Sequence, residues 1–264
     1  MATIALRIVI MAAIVYAALL ALLYANQDRM IFPASQERHA PTAGFEAVTL
    51  TTSDDLELVA HWRKPEAGKP TLVWFHGNAG SLAGSAQETA LMASHGYGVL
   101  LASYRGYGSN PGSPSEEGFY RDGRAAMAFL KEAGIDLSKT VIAGNSIGTG
   151  TAVEMAREFE PAALILVAPF TALTDVAGES LPYVPVSWFL NHRFDNLAKL
   201  PQISSPTLVL HGTADQVVPF AHGEALGKVA PKGTFLAFDG VGHTLGYQMN
   251  AQREEERWLE SLGL

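Results

Sequence analysis

The stretch that decides the fold is Thr140-Val-Ile-Ala-Gly-Asn-Ser-Ile-Gly148, an apolar run that closes on the pattern Gly-x-Ser-x-Gly. Such a run predicts a buried strand that turns sharply into a helix and leaves the serine hydroxyl exposed at the turn. Gly144 and Gly148 remove side chains that would collide across so tight a turn. We therefore take Ser146 as the candidate nucleophile, placed where a helix N-terminus favours developing negative charge.

Short apolar runs alternate with helical patterns on both sides of this stretch. Strands are expected at residues 47–50, 56–62, 71–75, 98–103, 140–144, 163–168, 207–211 and 234–238. Helices are expected at residues 82–94, 115–133, 146–159, 222–228 and 244–262. Strands covered by helices on both faces have continuous apolar sequences, and this alternation favours parallel strands with right-handed crossovers. The sequence predicts an α/β fold with a mostly parallel, doubly wound sheet that starts with a hairpin.

A serine hydroxyl needs a base to take its proton, and the base needs an orienting carboxylate. Asp215 and His243 each follow a later predicted strand, in the chain order that such a turn requires. Alternatively, Asp215 is a turn residue and His243 a neighbour of a helix N-cap. Asp239, Asp175 and Asp195 are rival carboxylates.

A tetrahedral intermediate also needs two backbone donors for its oxyanion. One should be the amide of Ile147, the residue after the nucleophile, and the other should come from the loop after the third strand. That loop is Phe75-His-Gly-Asn-Ala-Gly80, and we assign the second donor to the amide of Asn78. His76 is expected to brace this loop rather than to act as the base.

Several motifs in a fixed order support a family resemblance. They are Phe75-His-Gly-Asn-Ala-Gly80, Tyr104-Arg-Gly-Tyr-Gly108, Gly112-Ser-Pro-Ser-Glu116, Gly144-Asn-Ser-Ile-Gly148, Ala168-Pro-Phe170, His211-Gly-Thr-Ala-Asp215 and Gly242-His243. In these motifs the chain resembles the Bem46-like branch of the α/β hydrolases. That branch includes the α/β-hydrolase domain-containing proteins of types 13 and 17 and is often labelled serine aminopeptidase S33-like.

The resemblance implies the α/β-hydrolase fold, a triad of Ser146, Asp215 and His243, and hydrolysis of esters, thioesters or related acyl bonds. The chain departs from the family pattern at Ser103, where aspartate is usual, and at Thr149, where a second glycine is common. The change at Ser103 leaves open what braces Arg105. We favour a structural role for this arginine over substrate binding.

The amino-terminal segment has the composition of a membrane span. Residues 8–27 carry no charged side chain and residues 8–25 are entirely apolar, enough for a helix to cross the hydrocarbon core. We expect an uncleaved signal anchor over residues 1–29, followed by one catalytic domain over residues 30–264. The alternative is a cleaved signal peptide, but Leu23 and Ala25 do not form a small-x-small cleavage site. Arg7 precedes the span and the later flank sums to zero charge, which predicts a cytoplasmic amino terminus and an extracytoplasmic, periplasmic body.

Residues 171–200 interrupt the alternation of strands and helices and hold no clear strand. They contain Leu181-Pro-Tyr-Val-Pro-Val-Ser-Trp-Phe-Leu190, and we interpret them as a short cap insertion. Tyr183, Trp188 and Phe189 are candidate substrate-binding residues. Equally, this aromatic cluster could be the packing core of the cap.

Composition excludes several classes of protein. The 264 residues carry a formal charge of −8, which argues against nucleic-acid binding. The chain has no cysteine, so it can form neither a disulfide nor a thiolate metal site. Its eight histidines show no metal-ligand spacing, and no phosphate-binding glycine motif follows a strand. We expect neither a metal nor a cofactor.

The sequence therefore predicts a membrane-anchored serine hydrolase that cleaves acyl esters or thioesters through an acyl-enzyme. Its expected partners are a small acyl substrate and the lipid bilayer, and the apolar cap favours lipid-like acyl groups. A peptidase on the same fold is the alternative activity. A non-catalytic binding protein is a third hypothesis.

Overall fold

The computed structural model describes residues 2–264 and contains one sheet of eight strands in the order β1-β2-β4-β3-β5-β6-β7-β8. The strands are β1 Glu46–Thr51, β2 Glu57–Arg63, β3 Thr71–Phe75, β4 Gly98–Ala102, β5 Thr140–Asn145, β6 Ala163–Val167, β7 Thr207–Gly212 and β8 Gly233–Phe238. β1 and β2 form an antiparallel hairpin, β2 is antiparallel to β4, and all later pairings are parallel. The predicted α/β-hydrolase fold is confirmed.

Ten helices accompany the sheet in the described residues. They are α1 Ala2–Ile31, α2 Leu82–Glu88, α3 Ala90–Ser94, α4 Glu116–Glu132, α5 Gly148–Phe159, α6 Leu173–Ser180, α7 Val186–Phe189, α8 Asn196–Lys199, α9 Phe220–Val229 and α10 Met249–Ser261. One apolar core on one face of the sheet includes side chains of α4, α5 and α9. A second core on the other face includes side chains of α2, α3 and α10. This double covering explains why the strands have continuous apolar sequences.

The pairing register of the parallel strands aligns their carboxyl ends along one edge of the sheet. Phe75 at the end of β3 pairs with Gly144 in β5, and Asn145 pairs with Val167 at the end of β6. Gly212 and Phe238 pair at the ends of β7 and β8. The loops that carry the candidate site residues therefore all leave the sheet at this edge.

Two predicted helices begin or end differently in the structure. The segment 82–94 is two helices that meet at Thr89, whose hydroxyl donates to the Ser85 carbonyl at 2.9 Å while its backbone leaves the helical region. The last helix begins at Met249 rather than at 244, because Leu245–Tyr247 form a 3₁₀ turn with Leu245 fully buried. Side-chain hydrogen bonding and local burial decide both boundaries, and neither is visible as periodicity.

Helix α1 leaves the body as one continuous helix. Within Thr3–Ile31, the most apolar stretch of 18 residues has a mean hydropathy of 2.6 and is not buried in the body. By length and composition this helix can cross a bilayer. Residues 171–200, all of them described, contain α6, α7 and α8 and no strand, in agreement with the predicted insertion; we call this segment the cap.

Candidate active site

The turn at Ser146 is a strained elbow between β5 and α5. Ser146 has a φ of 52°, a left-handed conformation that costs a non-glycine residue about 1–3 kcal/mol. A Cβ atom at Gly148 would lie 2.1 Å from the Phe75 carbonyl oxygen, and one at Gly144 would lie 2.4 Å from the Gly148 carbonyl oxygen. Only glycine fits at these two positions, so the elbow packs directly against the end of β3.

Hydroxyl and amide groups around the elbow hold it in place. The Ser146 amide donates to the Val167 carbonyl at 2.9 Å. The hydroxyl of Thr149, at the position where glycine is common, donates to the Ser146 carbonyl at 2.6 Å. Asn196 in the cap donates to the same hydroxyl at 3.4 Å. Thr149 therefore links the elbow to the cap.

The structure brings Ser146, His243 and Asp215 into one hydrogen-bonded chain. His243 Nε2 lies 2.9 Å from Ser146 Oγ, and His243 Nδ1 lies 2.7 Å from Asp215 Oδ2. The carboxylate is fully buried, whereas the imidazole is 22% exposed. In this arrangement the imidazole contacts the hydroxyl on one side and the carboxylate on the other.

The surroundings of Asp215 favour its ionised form. Burial opposes ionisation, but hydrogen bonds from His211 and His243, together with the Val218 amide, hold the pKa of this carboxyl well below its ordinary value. Its Oδ1 accepts from the Val217 and Val218 amides at 2.8 and 2.9 Å. Asp215 is thus a fixed anion behind His243.

The rival carboxylates are engaged elsewhere. Asp239 Oδ1 accepts from the Thr213 hydroxyl at 3.2 Å. Asp175 accepts from the Thr171 hydroxyl, and Asp195 caps α8 through the Ala198 amide at 3.0 Å. Across residues 2–264, Asp215 is the carboxylate that hydrogen-bonds His243.

The loop after β3 lies against the elbow. A Cβ atom at Gly77 would lie 3.4 Å from Ser146 Cβ, so the glycine permits this approach. Asn78 Oδ1 accepts from the Tyr107 hydroxyl at 2.7 Å, and its Nδ2 donates to the Ile31 carbonyl at the end of α1. The amides of Asn78 and Ile147 have no protein acceptor within residues 2–264, which leaves both N–H groups available to a ligand.

His76 is buried behind this loop. Its Nδ1 lies 2.8 Å from the Gly77 carbonyl oxygen, and its ring packs edge-on against Tyr104 and Tyr107. Burial lowers its pKa to about 4, so the neutral ring donates to Gly77. The contacts agree with the bracing role expected for His76.

Arg105 is held between two carboxylates. Its Nε donates to Asp122 Oδ1 at 2.9 Å, and its terminal nitrogens donate to Asp54 at 2.8 and 3.0 Å. The Arg105 side chain is only 8% exposed. Asp122, on α4, supplies the bracing carboxylate that the sequence lacks at Ser103, and the contacts agree with a structural role for the arginine.

A family comparison agrees with the fold. The model of the serine aminopeptidase S33 family matches residues 66–199. An uncharacterized protein of Mycobacterium tuberculosis is 32% identical over 250 residues, which cover 90% of this chain and 88% of the relative. The chain belongs to the serine aminopeptidase S33 family of α/β hydrolases.

Two further relatives of this α/β hydrolase are named as α/β-hydrolase domain-containing proteins. The α/β-hydrolase domain-containing protein WAV2 of Arabidopsis thaliana is 31% identical over 257 residues, with 84% of this chain and 83% of that protein covered. The α/β-hydrolase domain-containing protein 17B of Xenopus laevis is 36% identical over 180 residues, with 67% and 61% covered.

Solved structures share the fold at low sequence identity. An esterase of Pyrococcus furiosus superposes with a TM-score of 0.67 at 19% identity, over 87% of this chain and 96% of the esterase. A membrane phospholipase A described as a bacterial virulence factor superposes with a TM-score of 0.63 at 17% identity, over 99% of each chain.

The hydrolase has a cavity of about 280 Å³ between the end of α1, the cap and the Asn78 loop. Of the three candidate substrate-binding residues, Phe189 lines this cavity. Tyr183 and Trp188 do not, because they lie on the outer surface of the cap, 87% and 86% exposed. The expectation that these two side chains line a pocket is therefore corrected.

Sequence reasoning missed two features of this hydrolase site. His211 Nε2 lies 3.4 Å from Asp215 Oδ2 and donates to the Val218 carbonyl at 2.9 Å; its signal is its place in the motif His211-Gly-Thr-Ala-Asp215. Glu88 lies buried beneath the elbow and accepts from Asn145, and no local pattern marks it. Within residues 2–264, no cluster of three histidine or acidic side chains is placed to hold a metal ion.

Proposed function

We propose that the chain is a membrane-anchored serine hydrolase that cleaves acyl esters or thioesters. The observation that carries this proposal is the hydrogen-bonded chain from Ser146 Oγ through His243 to Asp215, with distances of 2.9 and 2.7 Å. Nucleophile, base and orienting carboxylate within such distances are the arrangement that serine hydrolases use.

In the first half-reaction Ser146 Oγ attacks the acyl carbonyl carbon while His243 Nε2 takes the hydroxyl proton. Asp215 stabilises the imidazolium that forms. The oxyanion accepts hydrogen bonds from the free amides of Asn78 and Ile147. As the intermediate collapses, the bond to the leaving oxygen or sulfur breaks, and His243 returns the proton to that atom.

In the second half-reaction water attacks the carbonyl carbon of the acyl-enzyme. His243 Nε2 takes a proton from the water, and the same two amides hold the second oxyanion. The Ser146 Oγ–acyl bond then breaks and the serine recovers its proton from His243. The products are a carboxylic acid and the free enzyme.

The cavity beside the Asn78 loop favours acyl substrates over aminoacyl ones. An aminopeptidase must bind the α-ammonium group of its substrate, and an ammonium group in an apolar pocket needs a carboxylate partner. Within residues 2–264, the cavity wall contains no charged side chain. We therefore expect lipid-like acyl groups, in line with the apolar cap.

The membrane anchor in this proposal is α1. No residue of its most apolar stretch is buried in the body, and exposed apolar surface of this size favours a lipid environment. With Arg7 before the span, we expect the body on the extracytoplasmic side. The chain lacks cysteine, so Lys232→Cys would give a single exposed thiol. An impermeant maleimide should label it in intact spheroplasts, and labelling only after lysis would reverse the orientation.

A fluorophosphonate probe tests the nucleophile directly. The full-length protein in detergent should react covalently with the probe, and Ser146→Ala should not. Equal labelling of both proteins would refute the assignment of Ser146. Absence of labelling in a folded wild-type protein would favour a non-catalytic binding role.

Substrate class is tested separately. We expect turnover of acyl esters and thioesters, and turnover of aminoacyl amides at a rate at least about tenfold lower, because the cavity offers no carboxylate for an ammonium group. Turnover of aminoacyl amides alone would replace the esterase proposal with a peptidase.

A further inference from the structure

Helix α1 supplies part of the wall of the cavity beside the site. Five residues from its carboxyl-terminal end line the cavity, namely Leu23, Tyr24, Gln27, Met30 and Ile31. The opposite wall is formed by the cap, including Leu173, Val176, Leu181, Val184 and Phe189. The helix that we propose as the anchor is therefore also a structural part of the cavity.

Specific contacts fix α1 to the cap around this cavity. Gln27 Oε1 accepts from the Asn191 amide at 2.9 Å, and Asp28 Oδ1 lies 3.1 Å from His192 Nε2. Fifteen positions before Ile31, the Tyr16 hydroxyl donates to the carbonyl of a cap residue at 2.6 Å. The cavity is therefore held open between packed elements with polar contacts on both sides of it.

The contact at Tyr16 places the cap relative to the span. The hydrocarbon core is about 30 Å thick, so a spanning α1 needs nearly all of residues 8–25 within it. Tyr16 lies nine residues before Ala25, which is about 14 Å along the helix axis. The cap residue that accepts from it, Tyr183, then lies beside the span rather than above the membrane surface.

Resting on the function proposed above, we propose that this cavity receives one acyl chain of a membrane lipid ester, which enters sideways from the bilayer between α1 and the cap. The chain lies against Leu23 and Leu181, and its carbonyl group reaches Ser146 past the Asn78 loop. Helix α1 is thus a wall of the acyl-binding site as well as an anchor.

Three observations favour this occupant. The wall is apolar and uncharged, which suits methylene groups. The volume of about 280 Å³ lies just below the range of about 300–1,000 Å³ typical of small-molecule pockets, which fits a single chain better than a whole two-chain lipid. Asn78, whose amide has no protein acceptor within residues 2–264, lies in the cavity wall, so the cavity borders one of the two proposed oxyanion donors.

Filling the cavity tests the inference. The full-length protein is reconstituted in phosphatidylcholine vesicles and assayed with p-nitrophenyl butanoate and p-nitrophenyl dodecanoate. Leu23→Trp should lower kcat/KM for the dodecanoate by about tenfold or more, because each methylene excluded from burial loses about fourfold in binding. Its kcat/KM for the butanoate should fall by a much smaller factor, because the short chain needs little of the cavity.

Leu22→Trp is the matched control, because Leu22 is the adjacent residue on α1, is 61% exposed and does not line the cavity. Leu22→Trp should leave kcat/KM unchanged for both esters. Leu181→Trp fills the same cavity from the cap and should likewise lower kcat/KM more for the dodecanoate than for the butanoate. Agreement between Leu23→Trp and Leu181→Trp would show that the effect does not come from misfolding of one variant. Equal losses on both esters, or equal effects of Leu22→Trp and Leu23→Trp, would overturn the inference.

Delivery from the bilayer is tested with a phosphatidylcholine that carries a fluorescent dodecanoyl chain. Hydrolysis should occur when this lipid is in the same vesicles as the protein and not when it is in separate vesicles. Equal hydrolysis in both arrangements would refute lateral entry. Failure of the proposed function would look different, since Ser146 would not be labelled by the fluorophosphonate probe and neither p-nitrophenyl ester would be cleaved.

Discussion

Asn145, the residue before the candidate nucleophile, donates a hydrogen bond from Nδ2 to Oε1 of the buried Glu88. The other oxygen of Glu88 accepts from Trp74 Nε1 at 3.1 Å. Glu255 is also buried and has no partner for its Oε1 within residues 2–264. A buried carboxyl group, that of Glu88, therefore supports the elbow, and in the described part of the chain neither Glu88 nor Glu255 has an ion-pair partner.

These carboxyl groups make stability depend on pH. Burial raises the pKa of Glu88 to about 7, and burial together with nearby Glu88 raises the pKa of Glu255 to about 8. Between pH 4.5 and 7 the unfolded chain loses the Glu88 proton while the folded protein keeps it. The free energy of unfolding should therefore fall as pH rises through this window, by on the order of 3 kcal/mol for Glu88.

Glu88→Gln should remove this part of the pH dependence, because glutamine keeps an acceptor and carries no charge. Urea unfolding in detergent at pH 5 and pH 8.5 measures the free energy of unfolding at both pH values. Between them the variant should lose less stability than the wild type. Glu57→Gln, at an exposed position in β2, should show the same change in free energy of unfolding with pH as the wild type. An identical slope in wild type and Glu88→Gln would contradict the prediction.

Asp215→Asn should abolish most of the activity without unfolding the protein. Asparagine is nearly isosteric, but it no longer stabilises the imidazolium and it favours the wrong tautomer of His243. Comparable substitutions of a triad aspartate lower kcat by about 10⁴. Steady-state kinetics on an acyl ester, with circular dichroism as a check on folding, measures the loss.

Asp239→Asn is the matched control, since Asp239 follows β8 in the same sheet and contacts Thr213 rather than His243. Its kcat should stay within about twofold of wild type. If Asp239→Asn lost as much activity as Asp215→Asn, the choice between these two carboxylates would be wrong.

Gly148→Ala should destabilise the elbow strongly. The added Cβ would lie 2.1 Å from the Phe75 carbonyl oxygen, a backbone atom of the central sheet that cannot move aside. Overpacking of this kind costs about 1–3 kcal/mol or more, so we expect a lower Tm and loss of fluorophosphonate labelling.

The comparison variant for Gly148→Ala is Gly178→Ala in α6, where nothing lies within 4 Å of the added Cβ. Alanine favours a helix interior over glycine by about 0.5–1 kcal/mol, so this variant should be unchanged or slightly more stable. Equal Tm values for both variants would show that the close contact between a Cβ atom at Gly148 and the Phe75 carbonyl does not lower stability.

Local pattern predicted the strands and the positions of the three candidate catalytic residues at strand ends because both depend on short-range features. Strand positions follow from apolar runs, and Ser146, Asp215 and His243 each follow a strand whose carboxyl end lies at the same edge. The role of Tyr183 and Trp188 was not predictable, because the sequence does not show which face of the cap turns outward. Glu88 was missed for a related reason, since its partner Asn145 is 57 positions away.

Arg105→Ala should lower stability by about 3–5 kcal/mol, because it leaves Asp122 as a buried carboxylate without its partner. The Asp122 side chain is 1% exposed, and burial raises its pKa to about 6 although Arg105 opposes the shift. Removing Arg105 should raise this pKa further, so the loss of stability should be greatest at high pH, where Asp122 is ionised without its partner. Urea unfolding at pH 8 measures the loss.

Arg121→Ala provides the contrast for Arg105→Ala. Arg121 is 40% exposed and lies 3.3 Å from both Asp54 and Glu117, and surface pairs of this kind contribute about 0–1 kcal/mol. A similar loss of stability in both variants would indicate that burial of the Arg105–Asp122 ion pair adds little to its energetic contribution.

Trp188 should report whether the cap enters the bilayer. Its side chain is 86% exposed on the outer surface of the cap, beside the segment that contacts the middle of α1. In vesicles, lipids brominated on the acyl chains should quench Trp188, because they reach only side chains within the membrane. The difference in quenching between wild type and Trp188→Phe isolates this contribution, since Trp62, Trp74 and Trp258 are the same in both proteins.

The depth of quenching distinguishes two positions of the cap. Tryptophan prefers the interface between headgroups and acyl chains, so bromines near the lipid carbonyls should quench Trp188 at least as strongly as bromines near the chain ends. Quenching that is the same in wild type and Trp188→Phe would place the cap in water. In that case the Tyr16–Tyr183 contact would not exist in a membrane-spanning α1, and the lateral route to the cavity would lose its geometric basis.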